Sequence, residues 1–156
     1  MTTSTPDIQM VEDEAHARRC HPLMVQLRPH LTSEDEFVSR WHRQSLDGCR
    51  LLALHAGPSI LALAGYRVQE NLVHGRFLYV DDLVTDASLR GAGHGAALIA
   101  RLKQDALALC CSKVVLDTPL LNALGHRFYF RHGLLATALR FSVPTTIETP
   151  SIADRR

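Results

Sequence analysis

Three glycines directly before a helix-forming segment constrain the fold of this chain most strongly. Gly91, Gly93 and Gly95 fall within five positions, and an Ala/Leu-rich stretch at 96–109 follows them. That stretch has high helix propensity. Glycines at a helix entrance leave backbone N–H groups uncovered, and the first helical turn has no internal acceptors for them. These donors and the helix dipole favour an anion such as a phosphate. The alternative is that the glycines only turn the chain into the helix.

Two common nucleotide-binding motifs fit this loop poorly. A P-loop needs Lys followed by Ser or Thr, and neither follows Gly95. The spacing G-x-G-x-x-A at 91–96 matches a dinucleotide fingerprint, and Asp117 stands where a ribose-binding acid belongs. However, residues 85–90 separate the loop from the preceding strand, and only 39 residues follow Asp117. A second nucleotide-binding half does not fit in that length, so the dinucleotide interpretation is disfavoured.

Hydrophobic periodicity and turn residues predict six strands and four helices in the order β-α-α-β-β-β-α-β-α-β. The strands are expected at 8–11, 49–56, 59–68, 76–84, 113–117 and 134–143. The helices are expected at 15–27, from about Ser33 to Gly48, at 96–109 and at 122–132. The chain therefore belongs to the α/β (α+β) class, with a single domain at 1–144 and a loose C-terminal tail at 145–156.

Composition excludes several classes of function. Of 156 residues, 17 are Lys or Arg and 16 are Asp or Glu, so the chain lacks the positive charge that nucleic-acid binders use. No signal-like N-terminus and no apolar run of about 18 residues is present, so we expect a cytoplasmic protein that does not enter membranes. The four cysteines show neither C-x-x-C nor zinc spacing, and the nine histidines form no H-E-x-x-H. We expect reduced thiols and no metal site.

Two motifs give the chain a resemblance to a known family. The glycine loop reads R-x-x-G-x-G at 90–95, which is similar to the acetyl-CoA motif [RQ]-x-x-G-x-[GA] of the GNAT family of N-acetyltransferases. Residues 122–134 read N-x-x-G-x-x-x-Y-x-x-x-G-L and resemble that family's N-x-x-A-x-x-x-Y-x-x-x-G-F. The resemblance implies a mixed, mostly antiparallel sheet that splays open between two parallel strands, one ending near Thr85 and one starting near Lys113.

The resemblance also implies acetyl-CoA as co-substrate and a set of residues that hold it. The diphosphate would rest on the loop and the helix start, the pantetheine arm would pair with the strand before it, and an asparagine would bond the arm. These cofactor-binding residues are Leu83, Val84, Thr85, Arg90, Gly91, Gly93, His94, Gly95, Ala96 and Asn122. The expected acceptor is a small-molecule amine, and relatives pair as homodimers through the segment that corresponds to 134–143.

Transfer to an amine needs a proton acceptor, because an ammonium group with a pKa of about 10.4 cannot attack a thioester. Asp81 and Asp82 are consecutive on a predicted strand, where successive side chains face opposite ways, so at most one should enter the cleft. Asp81 is our first candidate base and Asp82 the second, since D-D-L resembles the E-D-L/F stretch of polyamine-type relatives. Equally, both acids could simply be hydrogen-bonded or solvated at a strand end.

The resemblance gives Tyr129 the role of protonating the leaving thiolate; without it, a core tyrosine is the simpler interpretation. Trp41 is interpreted as a core residue and the acids at 34–36 as helix-start residues. We expect direct transfer in a ternary complex, since no cysteine has an evident base. The alternatives are a non-catalytic acyl-CoA-binding module and an acetyltransferase that modifies proteins.

Overall fold

A five-stranded sheet with the order β1-β2-β3-β4-β5 lies at the centre of the computed structural model, which describes residues 6–145. The strands are β1 (Asp7–Met10), β2 (Arg50–Ala56), β3 (Ser59–Asn71), β4 (Gly75–Thr85) and β5 (Val114–Leu116). The helices are α1 (Glu14–Leu27), α2 (Glu34–Leu46), α3 (His94–Ala108) and α4 (Ala123–Arg131), with a short 3-10 turn at Ala87–Leu89. Each lies close to its predicted position, and this mixed sheet flanked by helices confirms the fold class.

Local sequence signals set where the first two helices begin. The Asp13 carboxylate accepts a hydrogen bond from the His16 N–H at 2.7 Å, and the Ser33 hydroxyl accepts one from the Glu36 N–H at 3.2 Å. Such side-chain caps satisfy donors that a helix start leaves without internal partners. The two helices follow one another before the second strand, as the hydrophobic pattern predicts.

The sheet is covered by apolar residues on both faces. One core lies between the sheet and helices α1 and α2, and it includes Leu51, Leu63 and Phe37. The other lies against α3 and also receives Phe128 and Tyr129 from α4. Alternation along the strands divides the side chains between these faces, because successive residues point to opposite sides of a sheet.

The sheet opens between β4 and β5. The two strands run parallel, but they pair only over Leu78–Val80 against Val114–Leu116. β4 continues to Thr85 and remains paired with β3 on its other side. Residues 81–85 therefore present an edge on which the described chain places no strand, and the splayed sheet that the resemblance implies is confirmed.

A β-bulge interrupts β4 where this opening begins. In the register with β3, Gly65 lies opposite Asp82 and Tyr66 lies opposite Val80, so Asp81 is an additional residue in β4. A bulge of this kind bends the strand and changes the direction of neighbouring side chains.

The predicted strand at 134–143 is wrong. The described residues after α4 form no strand, and Leu135 and Phe141 are 77% and 89% exposed. The segment is fixed instead by side chains: Arg140 pairs with Asp117 and donates to the Tyr79 hydroxyl at 2.9 Å. Alternating apolar residues form a strand only where another strand pairs with them, and none of the described strands pairs with this segment. Within the predicted tail, residues 146–156 lie outside the described part.

Candidate active site

The turn into α3 has the backbone geometry that the glycine cluster predicts. Gly91 and Gly93 both have φ near +86°, in the left-handed region that glycine tolerates. Gly93 caps α3 without a side-chain hydrogen bond, and the first bond of the helix runs from the Ala97 N–H to the Gly93 carbonyl. Among the described residues, the N–H groups of His94–Ala96 therefore have no acceptor. This exposed turn presents several backbone donors at the positive end of a helix.

The structure explains the glycine at position 95 by close packing, whereas positive φ explains the glycines at positions 91 and 93. A Cβ at this position would lie 3.0 Å from Phe128 Cζ and 3.6 Å from Thr85 Oγ1. The absent side chain thus allows α4 to pack against the start of α3. The cofactor-binding role of Gly95 stays a prediction, and the structure adds a packing role for it.

Asn122 caps α4. Its Oδ1 accepts a hydrogen bond from the Gly125 N–H, and its Nδ2 donates to Thr118 Oγ1, both at 3.0 Å. A Cβ on Gly125 would lie only 2.4 Å from Asn122 Nδ2, which explains why glycine replaces the alanine of the resembled motif. The contact of Asn122 with a pantetheine arm stays a prediction, and the amide is already used in the cap.

Tyr129 lies in the last turn of α4 with its ring against the α3-side core. Phe128 packs edge-on against it, with 5.4 Å between ring centroids. Burial raises the pKa of the phenol, because the charged form loses hydration there. The hydroxyl has no hydrogen-bond partner among the described residues, so a protonated phenol is available to a ligand.

Asp81 and Asp82 project to the same side of the sheet, toward α1 and α2. Val80 and Leu83 both contact the α3-side core although three positions separate them. The bulge accounts for this odd spacing and leaves both carboxylates on the other face, where they line one cleft. The expectation that at most one of them can enter the cleft is therefore wrong, since strict alternation does not hold through a bulge.

Both carboxylates form ion pairs with arginines. Arg67 binds Asp81 through two parallel bonds of 2.9 Å, and this pairing raises the pKa of the guanidinium. Arg28 donates to Asp82 Oδ1 at 2.8 Å through Nε and to the Asp81 carbonyl at 3.0 Å through Nη2. Both acids are thus hydrogen-bonded within the protein, as the structural alternative expects, and the role of either acid as a base stays a prediction. Sequence reasoning missed both arginines, because nothing in their spacing from the acids marks them.

The cleft lies between the sheet and helices α1 and α2 and has a volume of about 240 Å³. Its walls include Phe37 and Trp41 of α2, together with both carboxylates of β4. Trp41, which we interpreted as a core residue, is half-buried and packs against the α1/α2-side core while also lining the cleft. The acids at 34–36 are held by Arg18 and Arg40, in agreement with their interpretation as helix-start residues.

Two of the four thiols, Cys20 and Cys49, are poorly suited to nucleophilic attack. Cys49 lines the cleft, and burial raises its pKa; burial raises the pKa of Cys20 to about 12. Thiolate is the reactive form, so neither group is activated. Residues 6–145 contain no cluster of three or more His, Cys, Asp or Glu side chains arranged to hold a metal ion. Within the same range, no helix has the length and apolar character needed to span a bilayer.

Comparisons with known proteins agree with this geometry. The sequence model of the Acetyltransferase (GNAT) family matches residues 8–134. An uncharacterised N-acetyltransferase of Bacillus subtilis, YhdJ, is 30% identical over 115 residues, which is 70% of this chain and 77% of the relative.

Two solved structures share the fold. A Trypanosoma brucei acetyltransferase has a TM-score of 0.73 at 23% identity and covers 90% of this chain and 100% of its own. The aminoglycoside N-acetyltransferase AAC(6')-Iy, in complex with CoA, has a TM-score of 0.80 at 18% identity, covering 91% and 95%.

The family model over residues 8–134 and the relative at 30% identity define the class of this protein, an acetyltransferase. The chain belongs to the GNAT acetyltransferase family and is an N-acetyltransferase, with acetyl-CoA as its co-substrate.

Proposed function

We propose that this protein transfers an acetyl group from acetyl-CoA to the primary amine of a small molecule, by direct attack in a ternary complex. The observation that carries the proposal is the position of the uncapped α3 turn. It follows the end of β4, whose residues 81–85 have an unpaired edge where β5 diverges. A phosphate-binding turn beside an open strand edge suits a ligand with a diphosphate and an amide-bearing arm.

The residues at this turn fit the co-substrate. The N–H groups of His94, Gly95 and Ala96 would receive the diphosphate, with Arg90, Gly91 and Gly93 before them. The backbone of Leu83, Val84 and Thr85 would pair with the arm. Acetyl-CoA supplies an activated acetyl thioester, and the chain's own residues bind it, orient it and move protons.

Proton removal from the acceptor is assigned to the carboxylates at the cleft. An ammonium group must lose a proton before its nitrogen can attack, and a carboxylate within reach, directly or through water, can accept it. We place Asp81 first in this role and Asp82 second. Arg67 fixes the direction of the Asp81 carboxylate, because two-point pairing restricts rotation, and Arg28 holds Asp82 through its Oδ1.

Proton donation to the leaving thiolate is assigned to Tyr129. Burial holds its phenol in the protonated form, and its hydroxyl is not engaged by a protein partner. Direct transfer is favoured over a covalent acyl-enzyme, because the pKa of the Cys49 thiol in the cleft is raised by burial.

An acceptor of small size is favoured by the cleft, which is bounded by helices on one side and the sheet on the other. The CoA-bound structural relative is, by its name, an aminoglycoside N-acetyltransferase, so this fold accommodates small-molecule amines. Our proposal also places the protein in the cytoplasm, where its reduced thiols are stable. It includes pairing as a homodimer; residues 134–143 form no strand for this, but their apolar side chains, Leu135, Leu139 and Phe141, are exposed and could pack against a second copy.

Replacing Tyr129 by Phe tests the proposal against a non-catalytic acyl-CoA-binding module. We expect kcat for thiol release with an amine acceptor to fall by about 10²-fold or more, with the Kd for CoA nearly unchanged. The control is Phe130→Leu, at the next position of α4, where the side chain is 55% exposed; it should retain most of the activity. A wild-type protein that binds CoA but acetylates no member of an amine library would contradict transfer.

A further inference from the structure

The loop between β4 and α3, at residues 86–93, carries the glycine turn and has few attachments to the rest of the molecule. Within residues 6–145, hydrogen bonds join this loop to elements other than β4 and α3 at two points only. The Asp86 N–H donates to the Leu61 carbonyl at 2.9 Å, and the side chain of Gln26 provides the second attachment. Both attachments are at the first two residues of the loop, ahead of its glycines.

Gln26 holds this loop from α1. Its Oε1 accepts a hydrogen bond from the Ala87 N–H at 3.0 Å, and its Nε2 donates to Asp86 Oδ2 at 3.4 Å. Asp86 Oδ1 accepts bonds from the Ser88 N–H at 2.9 Å and from the Ser88 hydroxyl at 2.6 Å. These bonds from Ser88, with a smaller contribution from Gln26, lower the pKa of Asp86, so its carboxylate remains a charged acceptor. One amide thus bonds the loop backbone and the residue that orders the start of the loop.

Helix α1 is a fixed support for this contact. Leu23 and Met24, which shortly precede Gln26, are buried in the core between the sheet and the first two helices. Arg28, at the end of the same helix, bonds Asp82 and the Asp81 carbonyl. The end of α1 therefore holds β4 at the start of its unpaired edge, residues 81–85, and again just beyond the end of that edge.

A loop with two glycines at positive φ has many accessible conformations unless other contacts restrict it, because glycine limits the backbone least. A ligand that needs one of these conformations binds with an affinity reduced by the fraction of molecules that adopt it. A contact that fixes the loop before binding therefore increases the affinity without touching the ligand.

We propose that Gln26 is a positioning residue for the co-substrate: it holds the loop 86–93 in the conformation in which the turn at Gly91 and Gly93 receives the diphosphate of acetyl-CoA. Gln26 acts through Asp86 and Ala87 and makes no contact with acetyl-CoA itself. This inference rests on the proposed function, because that function places the diphosphate at the start of α3.

Replacing Gln26 by Met tests this role, because Gln26→Met keeps the length of the side chain and removes both hydrogen bonds. The Kd for CoA, measured by isothermal titration calorimetry, should rise about fivefold, the effect of losing hydrogen bonds of modest net strength. Amide hydrogen exchange in residues 86–93 of the ligand-free protein should become faster, because the loop is no longer held.

Ser112→Ala is the matched control. Ser112 is also neutral and exposed, and its hydroxyl donates to the carbonyls of His74 and Arg76 at the opposite end of β4. This variant should keep the wild-type Kd for CoA and the wild-type exchange in residues 86–93. The Tm of the ligand-free protein should fall by similar amounts in the two variants, which separates positioning from stability.

Exchange of donor and acceptor tests the contact itself. Gln26→Glu retains an acceptor for the Ala87 N–H but places a second carboxylate beside Asp86, so it should weaken CoA binding. Adding Asp86→Asn provides a donor on the loop side and leaves the net charge equal to that of the wild type. The double substitution should return the Kd to within about twofold of the wild-type value, because the two sites are in direct contact.

Three results would each overturn the positioning role: an unchanged Kd in Gln26→Met, an equal rise in Ser112→Ala, or no recovery in the double substitution. Gly93→Val, in the turn itself, distinguishes this failure from failure of the proposed function. If Gly93→Val leaves the Kd for CoA unchanged, the diphosphate binds elsewhere and the proposed site is wrong. If Gly93→Val raises the Kd and Gln26→Met does not, only the role of Gln26 is wrong.

Discussion

Asp81 and Asp82 are neighbours in sequence with different surroundings. Asp81 is the additional residue of the bulge and receives two parallel bonds from Arg67. Asp82 lies opposite Gly65 in the regular register and shares Arg28 with the Asp81 carbonyl. A Cβ on Gly65 would approach Asp82 Oδ2 to 3.2 Å, so this glycine leaves room for the carboxylate. The two acids can therefore be distinguished by substitution.

We predict that Asp81→Asn lowers kcat/KM by about 10²-fold or more and flattens the acid limb of the pH–rate profile, because the proton acceptor is lost. Asp82→Asn should weaken the Arg28 contact, with a smaller effect on rate and an acid limb like that of the wild type. Steady-state kinetics between pH 5 and pH 9 measure both. Equal effects of the two substitutions would refute the assignment of Asp81.

At the scale of single residues, the sequence predicts backbone conformation and the element a residue lies in better than it predicts the contacts of the side chain. The positive φ of Gly91 and Gly93 follows from the glycine pattern, and the place of Tyr129 near α3 follows from the motif. The bulge at Asp81 leaves no local signal, because it is a property of the register between two strands. The pairing of Arg28 with Asp82 joins residues 54 positions apart, which only the folded chain reveals.

Helix α1 and strand β2 meet at a pair of histidines. His16 Nε2 and His55 Nε2 lie 2.9 Å apart, so one ring donates and the other accepts. Burial lowers both pKa values, and Arg19 lowers them further, while Asp13 and Asp7 oppose the shift. The folded protein therefore favours neutral rings, whereas the unfolded chain takes up protons below about pH 6.5. The stability from this contact is present above that pH and is lost as the pH falls.

The corresponding prediction is that the Tm of the wild type falls between pH 7 and pH 5 and that His55→Gln reduces this fall. His42→Gln, at an exposed position on α2, should keep the full decrease. Differential scanning calorimetry at several pH values measures the effect. A fall in Tm that is as large in His55→Gln as in the wild type would show that other groups cause it.

Helices and strands were predictable wherever the local pattern decides them. The caps at Asp13 and Ser33 and the turn at 57–58 mark ends that the structure retains. The segment 134–143 has the alternation of a strand, but the described part of the chain pairs no strand with it. The hydrophobic pattern predicts which face of a strand would be buried, whereas the formation of that strand also depends on a pairing partner elsewhere in the chain.

For the whole molecule, binding of acetyl-CoA should increase stability, since a ligand that binds only the native state shifts unfolding. At a concentration of about 100 times Kd, the gain is about 2.7 kcal/mol. For a chain of this size that corresponds to a rise in Tm of about 5–10 °C. NADH should give no shift, because the loop lacks the setting of a dinucleotide site.

Gly93→Val provides the matched test of the turn. It should reduce the acetyl-CoA shift, since a branched side chain at positive φ strains the turn and covers its N–H groups. Gly48→Val is the control, because Gly48 has a similar φ of +88° and the same open surroundings, with nothing within 4 Å of a Cβ. Equal shifts in both variants would show that the diphosphate binds elsewhere.

The contact of Arg140 with Tyr79 and Asp117 has a consequence for the mouth of the sheet. Tyr79 is on β4 and Asp117 directly follows β5, so one guanidinium fastens the two strands together just where they diverge. The segment after α4 thus returns to the sheet and joins β4 to the residue after β5 through one side chain. The separation of β4 and β5 at this mouth is therefore limited in part by Arg140, a residue that contacts neither the glycine turn nor Asp81 and Asp82.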